Sequence, residues 1–148
     1  MPKKISLVSG GFDPVHEGHI SLLQESSRFS DILIVALNSD SWLKRKKGQP
    51  FMTFFSRKIV LESIKYVDYV IGFDDSDGSA SHAIEKVRDT YPDAIIYFCN
   101  GGDRTGENTP ETEACRKYDV RMVFNVGGGK IQSSSDMLKK WTRSESKS

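Results

Sequence analysis

The stretch ISLVSGGFDPVHEGHISLL, Ile5–Leu23, holds a strand, a break and the start of a helix within nineteen residues. Ile5–Gly10 is a short run rich in Ile, Leu and Val, the composition of a strand. Gly10 and Gly11 end it, where glycine lets backbone approach a ligand closely and adopt φ > 0. Pro14 suits a turn or a first helical turn. A helical pattern then follows His16, with Ile20, Leu23 and Phe29 inward.

Four further runs repeat the opening one. Asp31–Asn38 (DILIVALN), Asp68–Phe73 (DYVIGF), Ala94–Gly101 (AIIYFCNG) and Val120–Val126 (VRMVFNV) read as strands, several of them apolar throughout, as strands buried on both faces are. Amphipathic segments lie between them. In FFSRKIVLESIKYV, Phe55, Ile59, Ile64 and Val67 are apolar at near-helical spacing, and SASHAIEKVRDTY, TPETEACRKY and SSSDMLKKW complete the set. Strand–helix alternation implies crossover connections, so the expected fold is α/β: a Rossmann-like, doubly wound parallel sheet of about five strands with helices on both faces. Residues 1–141 read as one domain and 142–148 as a polar tail.

In such sheets ligands bind beyond the carboxyl ends of the strands. That edge would carry SGGFDPVHEGH, NSDSWLKRKKGQP, FDDSDGS, NGGDRTGEN and NVGGGKIQSSS, and four of these five loops are rich in the Gly, Ser, Asn or Lys that approach phosphates. A helix that begins after the first of them points its N-terminus at that edge, a favourable place for phosphate. His16 and His19 are three apart and share a helical face, and Gly18 between them leaves room for a ligand. A metal site would want a third ligand and usually a wider helical pair. The remaining alternative is two half-buried, hydrogen-bonded histidines. The flanking glycines at a strand–helix junction favour phosphate.

Composition narrows the class. The 148 residues carry 21 Lys and Arg against 20 Asp and Glu, a net charge of +1, with 37% hydrophobic and 28% charged residues. That is the balance of a soluble globular domain, with no global basic field for nucleic acid. No apolar run approaches the ~20 residues of a membrane span, the apolar piece after MPKK is too short for a signal peptide, and a cytoplasmic location is the default. Cys99 and Cys115 are isolated, without metal-ligand spacing, and read as reduced residues.

GGFDPVHEGH resembles the HxGH signature of the nucleotidyltransferase superfamily related to cytidylyltransferases. DILIVALNSDSWLKRKKGQP is similar to the second-strand segment and lysine loop of the heptose-phosphate adenylyltransferase and glycerol-phosphate cytidylyltransferase families. SRKIVLESIKYVDYVI resembles their next helix and strand, NGGDR their GGD segment, and IQSSSDML their closing Ser/Thr-rich motif, so the likeness spans most of the chain in order.

The resemblance implies transfer of a nucleoside monophosphate from a nucleoside triphosphate to a phosphorylated sugar or polyol, with release of pyrophosphate. His16, His19 and Lys47 would be catalytic, the lysine closing over the phosphates from a mobile loop with Lys44 and Lys46 beside it. Gly10, Gly11, Phe12, Arg57, Gly102, Asp103, Ser133, Ser134 and Ser135 would bind nucleotide or phosphate. Mg²⁺ would arrive with the triphosphate, with no direct side-chain ligand expected. ALNSDSWLKRKKG and NGGD favour the heptose-phosphate type, hence ATP over CTP. GGGKIQSSS departs from the arginine-containing lead-in of the glycerol-phosphate enzymes, with Lys130 in its place.

Each residue has a plainer reading. KRKK could be a solvated face, SSS a helix N-cap, Arg57 a surface residue, Asp13 a loop-orienting group and His82 a surface helix residue. The competing functions are a CTP-dependent glycerol-3-phosphate cytidylyltransferase, a nicotinamide or nicotinate mononucleotide adenylyltransferase, and a non-catalytic nucleotide-binding module. Nucleic-acid binding through KRKK ranks last, since only Trp42 offers an aromatic platform beside it. No membrane partner is expected. A homodimer is suggested by the resemblance alone.

Overall fold

All five apolar runs are strands: β1 (Lys4–Gly10), β2 (Ile32–Leu37), β3 (Tyr69–Gly72), β4 (Ile95–Cys99) and β5 (Arg121–Val123). The computed structural model describes residues 2–101 and 109–127 of the chain. The strands pair in parallel in the order β3-β2-β1-β4-β5, which puts β1 at the centre with Ile5 opposite both Ile32 and Ile96. Five helices occupy the described connections: α1 (Glu17–Arg28), α2 (Asp40–Lys47), α3 (Phe54–Glu62), α4 (Ser81–Thr90) and α5 (Thr112–Lys117).

Alternation along the strands divides the core in two. Ile5 and Leu7 of β1 and Ile34 and Ala36 of β2 pack with Ala83, Ile84 and Val87 of α4 and Cys115 of α5. Val8, Leu33, Val35 and Leu37 pack on the other side with Leu23 of α1 and Leu61 of α3. Ser6 shares the Val8 face, and its hydroxyl donates to the Ser26 carbonyl of α1 at 2.8 Å. The sheet is therefore doubly wound, with helices on both faces. The apolar runs expected to be buried on both sides are so because each strand feeds two cores.

Three local expectations change. The lysine segment after β2 is a helix, α2, and not a loop. Ser39 caps its start by accepting the Trp42 N–H at 3.1 Å, and Gly48 ends it at φ 91° with its N–H on the Lys44 carbonyl. Its last turn carries Lys44, Arg45, Lys46 and Lys47, the sign that complements a helix C-terminus. In α3 the buried face is rotated: Phe55 and Ile59 are 74% and 64% exposed, whereas Arg57 and Leu61 are wholly buried. The helix stops at Glu62, and Ile64 and Val67 pack on the core from the turn beyond it. Phe29, expected inward on the first helix, lies past its end as the C-cap and is exposed, its ring edge-on to Tyr97.

Candidate active site

The carboxyl end of β1 delivers Gly10–Gly11–Phe12, a cis Asp13–Pro14 peptide and then His16 at the head of α1. The two histidines form a reciprocal cap. His16 is the N-cap, and its Nδ1 accepts the Gly18 N–H at 3.1 Å; His19, three residues on, accepts the His16 N–H through its own Nδ1 at 3.1 Å. This is the capping-box arrangement, with imidazoles where a hydroxyl and a carboxamide or carboxylate usually serve. It has a chemical consequence. A neutral imidazole whose Nδ1 accepts carries its proton on Nε2, so both rings turn an Nε2–H donor away from the helix cap.

The rings are stacked with centroids 3.9 Å apart. At that separation two imidazolium charges would repel strongly. Burial, and next the neighbouring His16, push the His19 pKa down from 6.5 to about 4. His19 is thus a neutral donor near pH 7. Phe12 supports it from the side: its ring meets the His19 ring edge-on at 4.8 Å between centroids.

The glycines serve this support. A Cβ on Gly10 would lie 3.1 Å from Phe12 Cε2, and one on Gly11 would lie 2.9 Å from Leu43 Cδ2. The space they leave is filled by protein side chains. The positive φ expected of the glycines falls on Phe12, at 48°. Phe12 itself is 4% exposed, belongs to the core and supports His19.

Arg57 is also placed differently from both of its readings. It is not a surface residue, since its guanidinium is fully buried, and the carboxylate it meets in this structure is the protein's own Asp40. Nε donates to the Met52 carbonyl at 3.0 Å, Nη1 to the Gly11 and Asn38 carbonyls at 2.9 and 2.8 Å, and Nη2 to Asp40 Oδ1 at 2.7 Å. The planar fork thereby ties the turn after β1, the end of β2, the start of α2 and the start of α3 into one unit.

The lysines separate along α2. Lys47 reaches the turn after β1, with Nζ 2.8 Å from Asp13 Oδ2 and donating to the Asp13 carbonyl at 2.9 Å. Lys46 lies over the Trp42 ring at 4.7 Å, and Lys44 is exposed. No sequence motif marks Asp75. Buried in the loop after β3, it accepts from Asn38 Nδ2, the Ser39 N–H and the Ser39 hydroxyl at 3.1, 2.8 and 2.8 Å, and so pins the start of α2. No spacing in the chain links positions 38 and 75. His82 is a half-exposed helix residue, as expected, 3.9 Å from both Asp77 and Glu85.

Gly102, Asp103, Lys130, Ser133, Ser134, Ser135 and the tail at 142–148 lie outside the described residues. Among the described residues, no group of three or more His, Cys, Asp or Glu is arranged to hold a metal ion, and no helix is long and apolar enough to cross a membrane. The structure thus brings together His16, His19 and the α1 N-terminus, with Lys47 held on Asp13 three residues before His16, on a frame set by Gly10, Gly11, Phe12 and Arg57.

Comparison with known proteins identifies relatives of the chain. The bifunctional protein HldE of Campylobacter curvus is 35% identical over 140 residues, 93% of this chain and 27% of that protein. HldE of Campylobacter jejuni strain RM1221 is 45% identical over 104 residues, 69% of this chain and 22% of that protein. The chain spans about a quarter of the length of these curated relatives. Among solved structures, a lipopolysaccharide core biosynthesis protein from Thermoplasma volcanium superposes with a TM-score of 0.62 at 26% identity, over 82% of this chain and 95% of that one. Residues 7–128 match the cytidylyltransferase-like family, and the chain belongs to that family of nucleotidyltransferases.

Proposed function

We propose that this chain transfers a nucleoside monophosphate, with ATP favoured over CTP as the donor, to a phosphorylated sugar, releasing pyrophosphate. The observation that carries the reading is the reciprocal His16–His19 cap. It fixes two Nε2–H donors beside the N-terminus of α1, at the carboxyl end of the central strand. The acceptor phosphate is already an anionic nucleophile. Its oxygen attacks the α-phosphorus, a new P–O–P linkage forms, and the α–β P–O bond breaks with its electron pair leaving on pyrophosphate. No strong general base is required, so the protein's part is positioning and neutralising charge on the leaving group.

His16 and His19 donate hydrogen bonds to phosphate oxygens, His19 as a neutral ring. The first amides of α1 add donors, and Lys47 supplies a full positive charge. Mg²⁺ enters on the triphosphate as part of the substrate, which suits a site built from donors. The preference for ATP and a sugar phosphate rests on the resemblance of ALNSDSWLKRKKG to heptose-phosphate adenylyltransferases, on the HldE relatives, and on the solved relative named for lipopolysaccharide core biosynthesis.

The test is pyrophosphate release across a panel of triphosphates and phosphorylated acceptors. Turnover is expected with ATP and a heptose phosphate. Turnover only with CTP and glycerol 3-phosphate would replace this reading with the cytidylyltransferase one. No turnover with any pair would overturn the enzyme reading for this chain on its own. In a working assay, His16→Ala should lower kcat by about 10²–10³-fold, the usual effect of losing a preorganised donor.

A further inference from the structure

We propose that Asp13 is a positioning residue that holds Lys47 in reserve and hands its ammonium to the polyphosphate when nucleotide binds. The inference rests on the nucleotidyltransferase reading above, since it needs a polyphosphate ligand. Asp13 is 3% exposed, yet its carboxylate is surrounded by donors. Oδ2 and Oδ1 accept the Phe51 and Met52 N–H groups at 2.6 Å each, and Lys47 Nζ sits 2.8 Å from Oδ2. The two amides belong to the segment between α2 and α3, and Met52 is held in turn by Arg57. Asp13 therefore stays anchored by backbone donors whether or not the ammonium is present.

Lys47 has the opposite character. Its side chain is 21% exposed, and it hangs from the last residue of α2 on a flexible four-carbon stem. Its contacts are with Asp13 alone among those described, at the carboxylate and at the main-chain carbonyl. Asp13 lies three residues before His16, so the ammonium is stored within the turn that leads into the donor pair. The pair is largely buried, with the Lys47 side chain 21% and that of Asp13 2% exposed, so exchange depends on the buried carboxylate keeping other donors, and a polyphosphate offers several anionic oxygens in place of one carboxylate. The buried partner remains satisfied after the exchange, which keeps the turn in place while the charge moves.

The first experiment uses the unaltered protein with inorganic tripolyphosphate as the probe. The side-chain resonance of Lys47, assigned by its loss in Lys47→Met, should shift as tripolyphosphate binds. Binding that moves His16 and His19 resonances but leaves Lys47 still would overturn the exchange, while turnover in the substrate panel would leave the enzyme reading intact. Absence of any tripolyphosphate binding would overturn the exchange and leave the enzyme reading to the substrate panel. The second experiment uses Asp13→Asn. Removing the competing charge should tighten tripolyphosphate binding roughly three- to tenfold, while kcat falls at least about tenfold as Lys47 loses its parking position. A merely structural role would weaken binding and kcat together. The tightening should vanish in the Lys47→Met background; its persistence there would show that Asp13 does not act through Lys47. Should Asp13→Asn fail to fold, the resonance experiment still decides the matter.

Discussion

The His16–His19 cap joins folding to chemistry in one pair of side chains, and pH separates the two roles. An unfolded histidine takes up its proton near 6.5, whereas burial and His16 hold folded His19 at about 4. Between those values the unfolded chain binds more protons. Stability is therefore full above about pH 6.5 and drains as pH falls toward 4, by on the order of 2–3 kcal/mol. Protonation would also place a hydrogen on the Nδ1 that accepts the His16 N–H. Glutamine at the same position can close a capping box without titrating. His19→Gln should thus flatten the pH dependence of the urea midpoint between pH 4 and 6.5. It should leave stability near pH 7.5 within about 0.5 kcal/mol, yet lower kcat about a hundredfold, because the amide puts no donor where Nε2 stood. An unchanged slope would locate the titration elsewhere.

At the scale of elements, α3 shows what a periodic pattern leaves undecided. Phe55 and Ile59 have the same four-residue spacing as Arg57 and Leu61, roughly half a turn round the helix. The apolar pair reads as the inward one, but the second is buried, because Arg57 finds four acceptors where the turn after β1, the end of β2 and the starts of α2 and α3 meet. Denaturant unfolding tests the assignment. Phe55→Ser should shift stability by no more than about 0.5 kcal/mol, and Leu61→Ala should cost about 2–4 kcal/mol. Arg57→Met should cost about 3–5 kcal/mol by leaving four acceptors without their donor. The five strands, their parallel pairing and the turn into the first helix were legible because apolar runs and a glycine break before a helical pattern are local signals. The helix in SDSWLKRKKG had such a signal too, a capping Ser39 and a stopping Gly48, but the run of basic residues suggested a loop. Asp75 and the burial of Arg57 were not legible, since their partners lie far along the chain and only the sheet order brings them together.

At the scale of the whole molecule, β1 feeds two cores at once, and each core contains one cysteine. Cys99 packs with Leu23 and Leu61 on the α1 and α3 side, and Cys115 packs with Ile84 and Phe98 on the α4 and α5 side. Both thiols are free and buried. Burial raises the Cys99 pKa, and burial together with Glu111 pushes that of Cys115 up to about 12. Since only the thiolate attacks a disulfide reagent, neither should react in the native protein, and labelling should report unfolding of its own side. A central strand shared by both cores, with Leu7 serving one and Val8 the other, couples them into one cooperative unit. The Cys99→Ser and Cys115→Ser variants each leave a single reporter. Their labelling transitions in urea, corrected for each variant's own stability, should coincide with loss of helical circular dichroism. Labelling of Cys115 at clearly lower urea than Cys99 would instead show that the α4 and α5 side opens separately, leaving the histidine turn on the side that remains folded.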